Sequence, residues 1–143
     1  MMETSDEFAM DVEYRLEPSL DADEFVDILI RSTLSERRPV SDRESIEGML
    51  ANADVLLTAR LDGRLVGISR AITDYHFCTY LSDLAVDSTY QKRGIGKELI
   101  QRTHLAAGLK TTLILLAAPK SQSYYPHIGI NSHDSCWVIP PRS

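Results

Sequence analysis

The chain has 143 residues, of which 43% are hydrophobic and 25% charged, with a formal net charge of −6. That length and balance predict one soluble globular domain over 1–143, exclude disordered and membrane-embedded chains, and argue against a general nucleic-acid binder. Cys78 and Cys136 are the only cysteines and form no C-x-x-C pair, so a disulfide-stapled scaffold is excluded and both thiols are expected to be buried or idle.

The first twenty residues are acidic and hold neither the apolar stretch of a secretion signal nor an Arg-rich transit sequence, which predicts a cytoplasmic protein. Val12, Tyr14 and Leu16 alternate with polar residues as in a half-buried strand that Pro18 ends. Asp21 and Glu24 have capping-box spacing, and Phe25, Ile28 and Leu29 follow at helical intervals. Residues 35–39 end in proline and read as a loop. Its Arg37-Arg38 pair reads as decoration of that loop, with binding of an acidic acceptor or phosphate as the alternative. Ser41 and Glu44 then give a second capping box, Ile46, Met49 and Leu50 one helix face, and Asn52 a stop.

Strand-like stretches at 55–61 and 65–72 flank Asp62-Gly63, a dipeptide suited to a tight hairpin. A turn at 73–76 leads to a third strand at 78–86. A helix over 94–109 follows, with Leu99, Ile100, Thr103, Ala106 and Ala107 on one face and Gly108 as its cap. The remainder reads as a strand at 111–118, a short segment at 123–129 and a last strand at 136–139. The longest apolar run, 113–118, falls far short of the roughly 20 residues that cross a membrane. Antiparallel hairpin strands followed by a strand–helix–strand unit predict an α/β fold with a mixed sheet and helices on its faces.

Charge is unevenly distributed. Residues 1–50 hold 14 acidic and five basic side chains, whereas 51–143 hold seven and ten. Halves of opposite sign across a cleft would offer one wall to a cation and the other to an anion. Acidic helices that merely keep the protein soluble are the alternative.

The stretch between the third strand and the next helix carries the most chemistry. Gln91-Lys92-Arg93-Gly94-Ile95-Gly96-Lys97 sets two glycines and three basic side chains at a helix N-terminus, where converging N–H groups and the helix dipole favour phosphate. The run matches neither the P-loop nor the dinucleotide G-x-G-x-x-G pattern. Without flanking signals, the glycines would mark only a strand-to-helix turn.

With Leu84-Ala85-Val86 before it and an amphipathic helix after it, this turn resembles the cofactor signature of the GNAT superfamily of N-acetyltransferases. The resemblance implies that main-chain groups of Arg93, Gly94, Ile95, Gly96 and Lys97, with Gln91 and Lys92 alongside, hold the pyrophosphate of acetyl-CoA. It further implies that Leu84, Ala85 and Val86 pair with the pantetheine arm, and that the sheet is mostly antiparallel and splayed between its two parallel strands. The element order matches the family along nearly the whole chain. Tyr124-Tyr125-Pro126-His127-Ile128-Gly129-Ile130 resembles a second family motif and puts Tyr125 where many members keep the tyrosine that protonates the departing thiolate. Ile130 replaces the usual aromatic, and Pro126 disfavours helical backbone at Tyr125.

An amine must lose a proton during acetyl transfer. Asp83, on the strand before the turn and on the face opposite Leu84 and Val86, is the candidate base, with ordered water as the alternative. His76, His104, His127 and His133 have no metal spacing, so no metal is expected. The expected acceptor is a primary amine of a small molecule or peptide, recognised in part by the loop over 32–40. A second copy of the chain remains an open partner, and neither nucleic acid nor membrane is expected. A non-catalytic module that holds CoA is the competing reading.

Overall fold

The computed structural model describes residues 11–142. Residues 1–10, part of the segment read above as lacking a secretion signal, lie outside them. Five strands form one sheet: β1 (Val12–Leu16), β2 (Val55–Leu61), β3 (Arg64–Thr73), β4 (Cys78–Val86) and β5 (Thr112–Leu115). They lie side by side in chain order, antiparallel from β1 to β4 and parallel between β4 and β5. Asp62 and Gly63 both adopt positive φ, as a tight two-residue hairpin requires.

Among the described residues, four α-helices accompany the sheet: α1 (Ala22–Arg31), α2 (Arg43–Ala51), α3 (Ile95–Ala107) and the short α4 (Tyr124–His127). Phe25, Ile28 and Leu29 of α1 and Ile46 and Leu50 of α2 pack with Leu56, Leu65, Ile68 and Ala85 on one sheet face. On the other face, Ile95, Leu99 and Ile100 of α3 cover Leu57, Ala59, Val66 and Leu81. Gly67 lies directly under α3, where a Cβ would stand 3.1 Å from Leu99 Cδ1 and 3.2 Å from Ile95 Cγ2.

Several sequence expectations are corrected in detail. Asp21 caps α1, accepting from the N–H groups of Asp23 and Glu24, but the Glu24 side chain turns away to Arg60 and completes no reciprocal box. The cap of α2 is Asp42 rather than Ser41, accepting from Ser45 N. Ala106 of α3 is exposed and β5 is shorter than 111–118. Residues 34–37 form a turn of 3-10 helix within the expected loop.

No strand forms at 136–139. These residues join no ladder, and Trp137 is 91% exposed. An apolar run makes a strand only when a neighbouring edge satisfies its backbone. Cys78 and Cys136 are free and exposed rather than buried. No helix among the described residues is long and apolar enough to cross a membrane.

Candidate active site

β4 contains a bulge. Arg70 pairs with Asp83 and Ala71 with Leu81, so Ser82 has no partner of its own on β3. One extra residue resets the period-2 alternation. Leu81 therefore packs beneath α3, whereas Ala85 packs beneath α1 and α2 although both are odd-numbered. On the opposite edge of β4, pairing with β5 ends at Leu81 and Leu115. Bulge and splay begin at the same step of the strand.

Beyond that step a groove of ≈ 330 Å³ opens between Leu84, Ala85 and Val86 on one side and Ala118, Pro119 and Ser121 on the other. Ser32, Leu34 and Glu36 of the loop between α1 and α2 also line it. A smaller pocket of ≈ 40 Å³ shares Leu34, Leu84, Ala118 and Ser121 with the groove and adds Arg38, Ser82 and Tyr125.

The turn after β4 is fastened at both ends. Asp87 is buried and accepts from Thr89 N at 2.8 Å and from Arg31, whose Nη2 also donates to Leu65 O at 2.8 Å. Burial opposes the charge on Asp87, but the Thr89 and Arg31 hydrogen bonds outweigh it and hold the carboxyl below its usual range. Ser88 Oγ donates to Arg31 O at 2.9 Å, and Gln91 Nε2 to Val86 O at 3.1 Å. Lys92 and Gly94 both take positive φ, which brings the chain round into α3. Lys92, Arg93 and Lys97 surround the turn as exposed cations, with the Arg93 guanidinium 5.9 Å from the Tyr90 ring centroid. The Ile95 side chain is a core residue, and only its main chain faces the turn.

Tyr125 is half-buried in the small pocket. Tyr125 is helical all the same: Pro126 lies in the first turn of α4, where its missing N–H leaves no intrahelical bond unmade, and a proline disfavours helical backbone at the preceding residue without forbidding it. Burial, reinforced by Tyr124, raises the Tyr125 pKa above that of an ordinary phenol. Tyr124 meets Tyr125 edge to face at 5.2 Å, and its hydroxyl lies against Gly96 at the start of α3.

Asp83 lies opposite Leu84 and Val86, as alternation implies, but that side is not open to the cleft. Its side chain has no solvent exposure, and its two oxygens pair with Arg38 Nε and Arg70 Nε. A carboxylate so enclosed has no accessible surface at which to receive a proton from an acceptor. Arg38 also donates to Ser82 O at 2.7 Å, and Arg70 to Ser82 Oγ at 3.0 Å. Arg38 is thus no solvated decoration of a loop. The sequence did carry a signal for this cluster: Arg70 and Asp83 each interrupt an apolar strand, and such charges enter an interior in pairs. Among the described residues, no three His, Cys, Asp or Glu side chains gather as metal ligands.

Comparison with known proteins agrees with this architecture. The sequence profile of the acetyltransferase (GNAT) family matches residues 22–127. An aminoglycoside acetyltransferase from an uncultured soil metagenomic sample, solved in complex with sisomicin, superposes with a TM-score of 0.70 at 20% identity over 96% of this chain and 98% of that one. Aminoglycoside N-acetyltransferase AAC(6')-Iy, in complex with CoA, gives 0.68 at 18% identity over 92% and 95%. A GNAT-family acetyltransferase from Streptococcus pneumoniae gives 0.66 at 16% identity over 91% and 99%. At these identities the likeness is one of fold. No protein of curated function matches the sequence.

Proposed function

Because the chain belongs to the GNAT family of acetyltransferases, whose acetyl donor is acetyl-CoA, we propose that it transfers the acetyl group to a primary amine of a small molecule or peptide by direct attack. The observation that carries this reading is the parting of β4 from β5 after Leu81 and Leu115, with Tyr125 at the head of the groove so opened.

The residues present fit the donor. Leu84, Ala85 and Val86 wall the groove of ≈ 330 Å³ along which a pantetheine arm would lie. Gly94, with φ of 86° and nothing within 4 Å of an added Cβ, leaves the start of α3 open to a diphosphate among Lys92, Arg93 and Lys97. Gln91 steadies the turn from Val86 O, and main-chain N–H groups from Arg93 to Gly96 are the proposed phosphate donors.

Acetyl-CoA supplies the acetyl group as a thioester. The acceptor nitrogen forms the new N–C bond as the C–S bond breaks, and Tyr125 gives its phenolic proton to the sulfur. Its raised pKa keeps that proton in place throughout the neutral range. A β4 main-chain N–H beyond the bulge polarises the carbonyl oxygen. Water in the groove takes the amine's proton, because Asp83 is enclosed by its arginines. For an alkylamine with a pKa of about 10.4, turnover should therefore rise with pH through the neutral range.

The first test is thermal unfolding with and without acetyl-CoA, followed by thiol release against a panel of polyamines, aminoglycosides and peptide N-termini. A ligand at about 100 times its Kd stabilises by about 2.7 kcal/mol, a rise of several degrees. Absence of any rise overturns the donor site. A rise with no thiol release across the panel favours a module that holds CoA without transfer.

A further inference from the structure

We propose that Arg38 is a positioning residue that pins the loop between α1 and α2 to the Ser82 bulge, and so sets the backbone against which the acetyl end of the donor lies. The inference rests on the donor reading above, but its geometry stands independently. Arg38 reaches β4 from the loop and makes two bonds there, to Asp83 and to the carbonyl of Ser82. Arg70, arriving from β3, makes the corresponding pair with Asp83 and with the Ser82 hydroxyl. The β4 residue skipped in the ladder between Asp83 and Leu81 is therefore held from two sides through its main chain and its side chain.

This arrangement differs from a buried ion pair that only fills the core. A bulge leaves backbone groups outside the ladder, and those groups need other partners to stay in one orientation. Ser82 takes its partners from two guanidiniums, whose planar forks fix direction as well as distance. Asp83 then serves as the shared anion that keeps both forks in place. Arg38 also lines the small pocket beside Tyr125, so the loop, the bulge and the proposed proton donor meet in one cavity. A shift of the loop cannot occur without releasing the bulge.

The test begins with R38A, because removing Arg38 leaves Asp83 paired to Arg70 and the Arg38 side chain is itself 20% exposed. D83N, which strips the counter-charge from two arginines at once, risks simple unfolding. Amide hydrogen exchange of R38A should accelerate at least tenfold at Glu36, Arg38 position and Val40 in the loop and, in parallel, across 82–85 in β4. R43A, which removes surface pairs to Asp23 and Glu47, should leave β4 unchanged. Guanidinium ion at tens of millimolar should restore β4 protection to R38A and leave R43A unaltered.

Calorimetry with CoA and with acetyl-CoA supplies the second measurement. R38A should bind CoA like the native protein but lose about tenfold in affinity for acetyl-CoA, since only the acetyl end lies at the bulge. Faster exchange confined to the loop, or equal weakening toward both ligands, overturns the proposal. If the native protein binds neither ligand while the coupled exchange is still seen, the donor reading fails and the clamp between loop and bulge stands.

Discussion

The hydroxyl of Tyr124 lies 2.6 Å from the point a Cβ on Gly96 would occupy, and the next ring atom, Cζ, lies at 3.4 Å. Gly96 therefore has a packing reason to be glycine that is separate from any phosphate. Replacement by alanine should cost about 1–3 kcal/mol in chemical denaturation, the usual range for overpacking. Tyr124→Phe removes the nearest atom and leaves an ordinary contact, so the double variant should recover most of that loss. Additive effects in the double-mutant cycle would show that the ring and the glycine do not touch.

Gly94 and Gly48 make a matched pair, since neither has an atom within 4 Å of an added Cβ. Gly94 has a φ of 86°, whereas Gly48 lies inside α2 without a positive φ. Gly94→Ala should destabilise by about 1–2 kcal/mol through backbone strain and weaken acetyl-CoA binding. Gly48→Ala should stabilise by about 0.5–1 kcal/mol and leave acetyl-CoA binding unchanged. Thermal melts with and without ligand report both.

Tyr125→Phe removes the proposed proton donor while keeping the ring. Turnover should fall by about 10²–10⁴ with acetyl-CoA affinity preserved, measured by thiol release and calorimetry on the same preparation. Because burial raises the Tyr125 pKa, the native enzyme should hold its activity well into the alkaline range. A native alkaline limb falling near pH 8 would point to another donor.

Acid stability should report on Glu17. Its carboxyl takes Arg60 Nε and Nη2 at 2.8 and 2.9 Å, and chiefly through these bonds its pKa falls to about 2. An unfolded glutamate titrates near 4.3. The stabilisation is therefore complete above about pH 5 and is lost as pH falls toward 2, amounting to about 2 kcal/mol once solvent screening of this partly exposed pair is discounted. Glu17→Gln should be less stable than the native chain at pH 7, with the difference closing through that window in urea titrations at stepped pH.

Much of the fold is written locally. Asp21 and the spacing of Phe25, Ile28 and Leu29 specify α1, and the paired positive-φ positions Asp62 and Gly63 specify the hairpin. Those signals act within a few residues of chain, where capping, periodicity and turn conformation are decided by neighbours in sequence. Misplaced ends have the same origin. Ser41 and Asp42 are both competent caps, and choosing between them depends on where the preceding loop delivers the chain.

What the sequence determined by itself was the order of elements from β1 to β5, the hairpin, the glycine-bearing basic turn at 91–97 and the tyrosine pair after β5. Tertiary structure alone decided that Ser82 bulges, that Asp83 is shared by Arg38 as well as Arg70, that Arg38 belongs to β4 as much as to its own loop, and that 136–139 pairs with nothing. The physical reason is common to these cases. A bulge, a buried charge and an edge strand are each defined by partners distant along the chain: Arg38 and Asp83 are 45 residues apart, and no local pattern encodes such a partner.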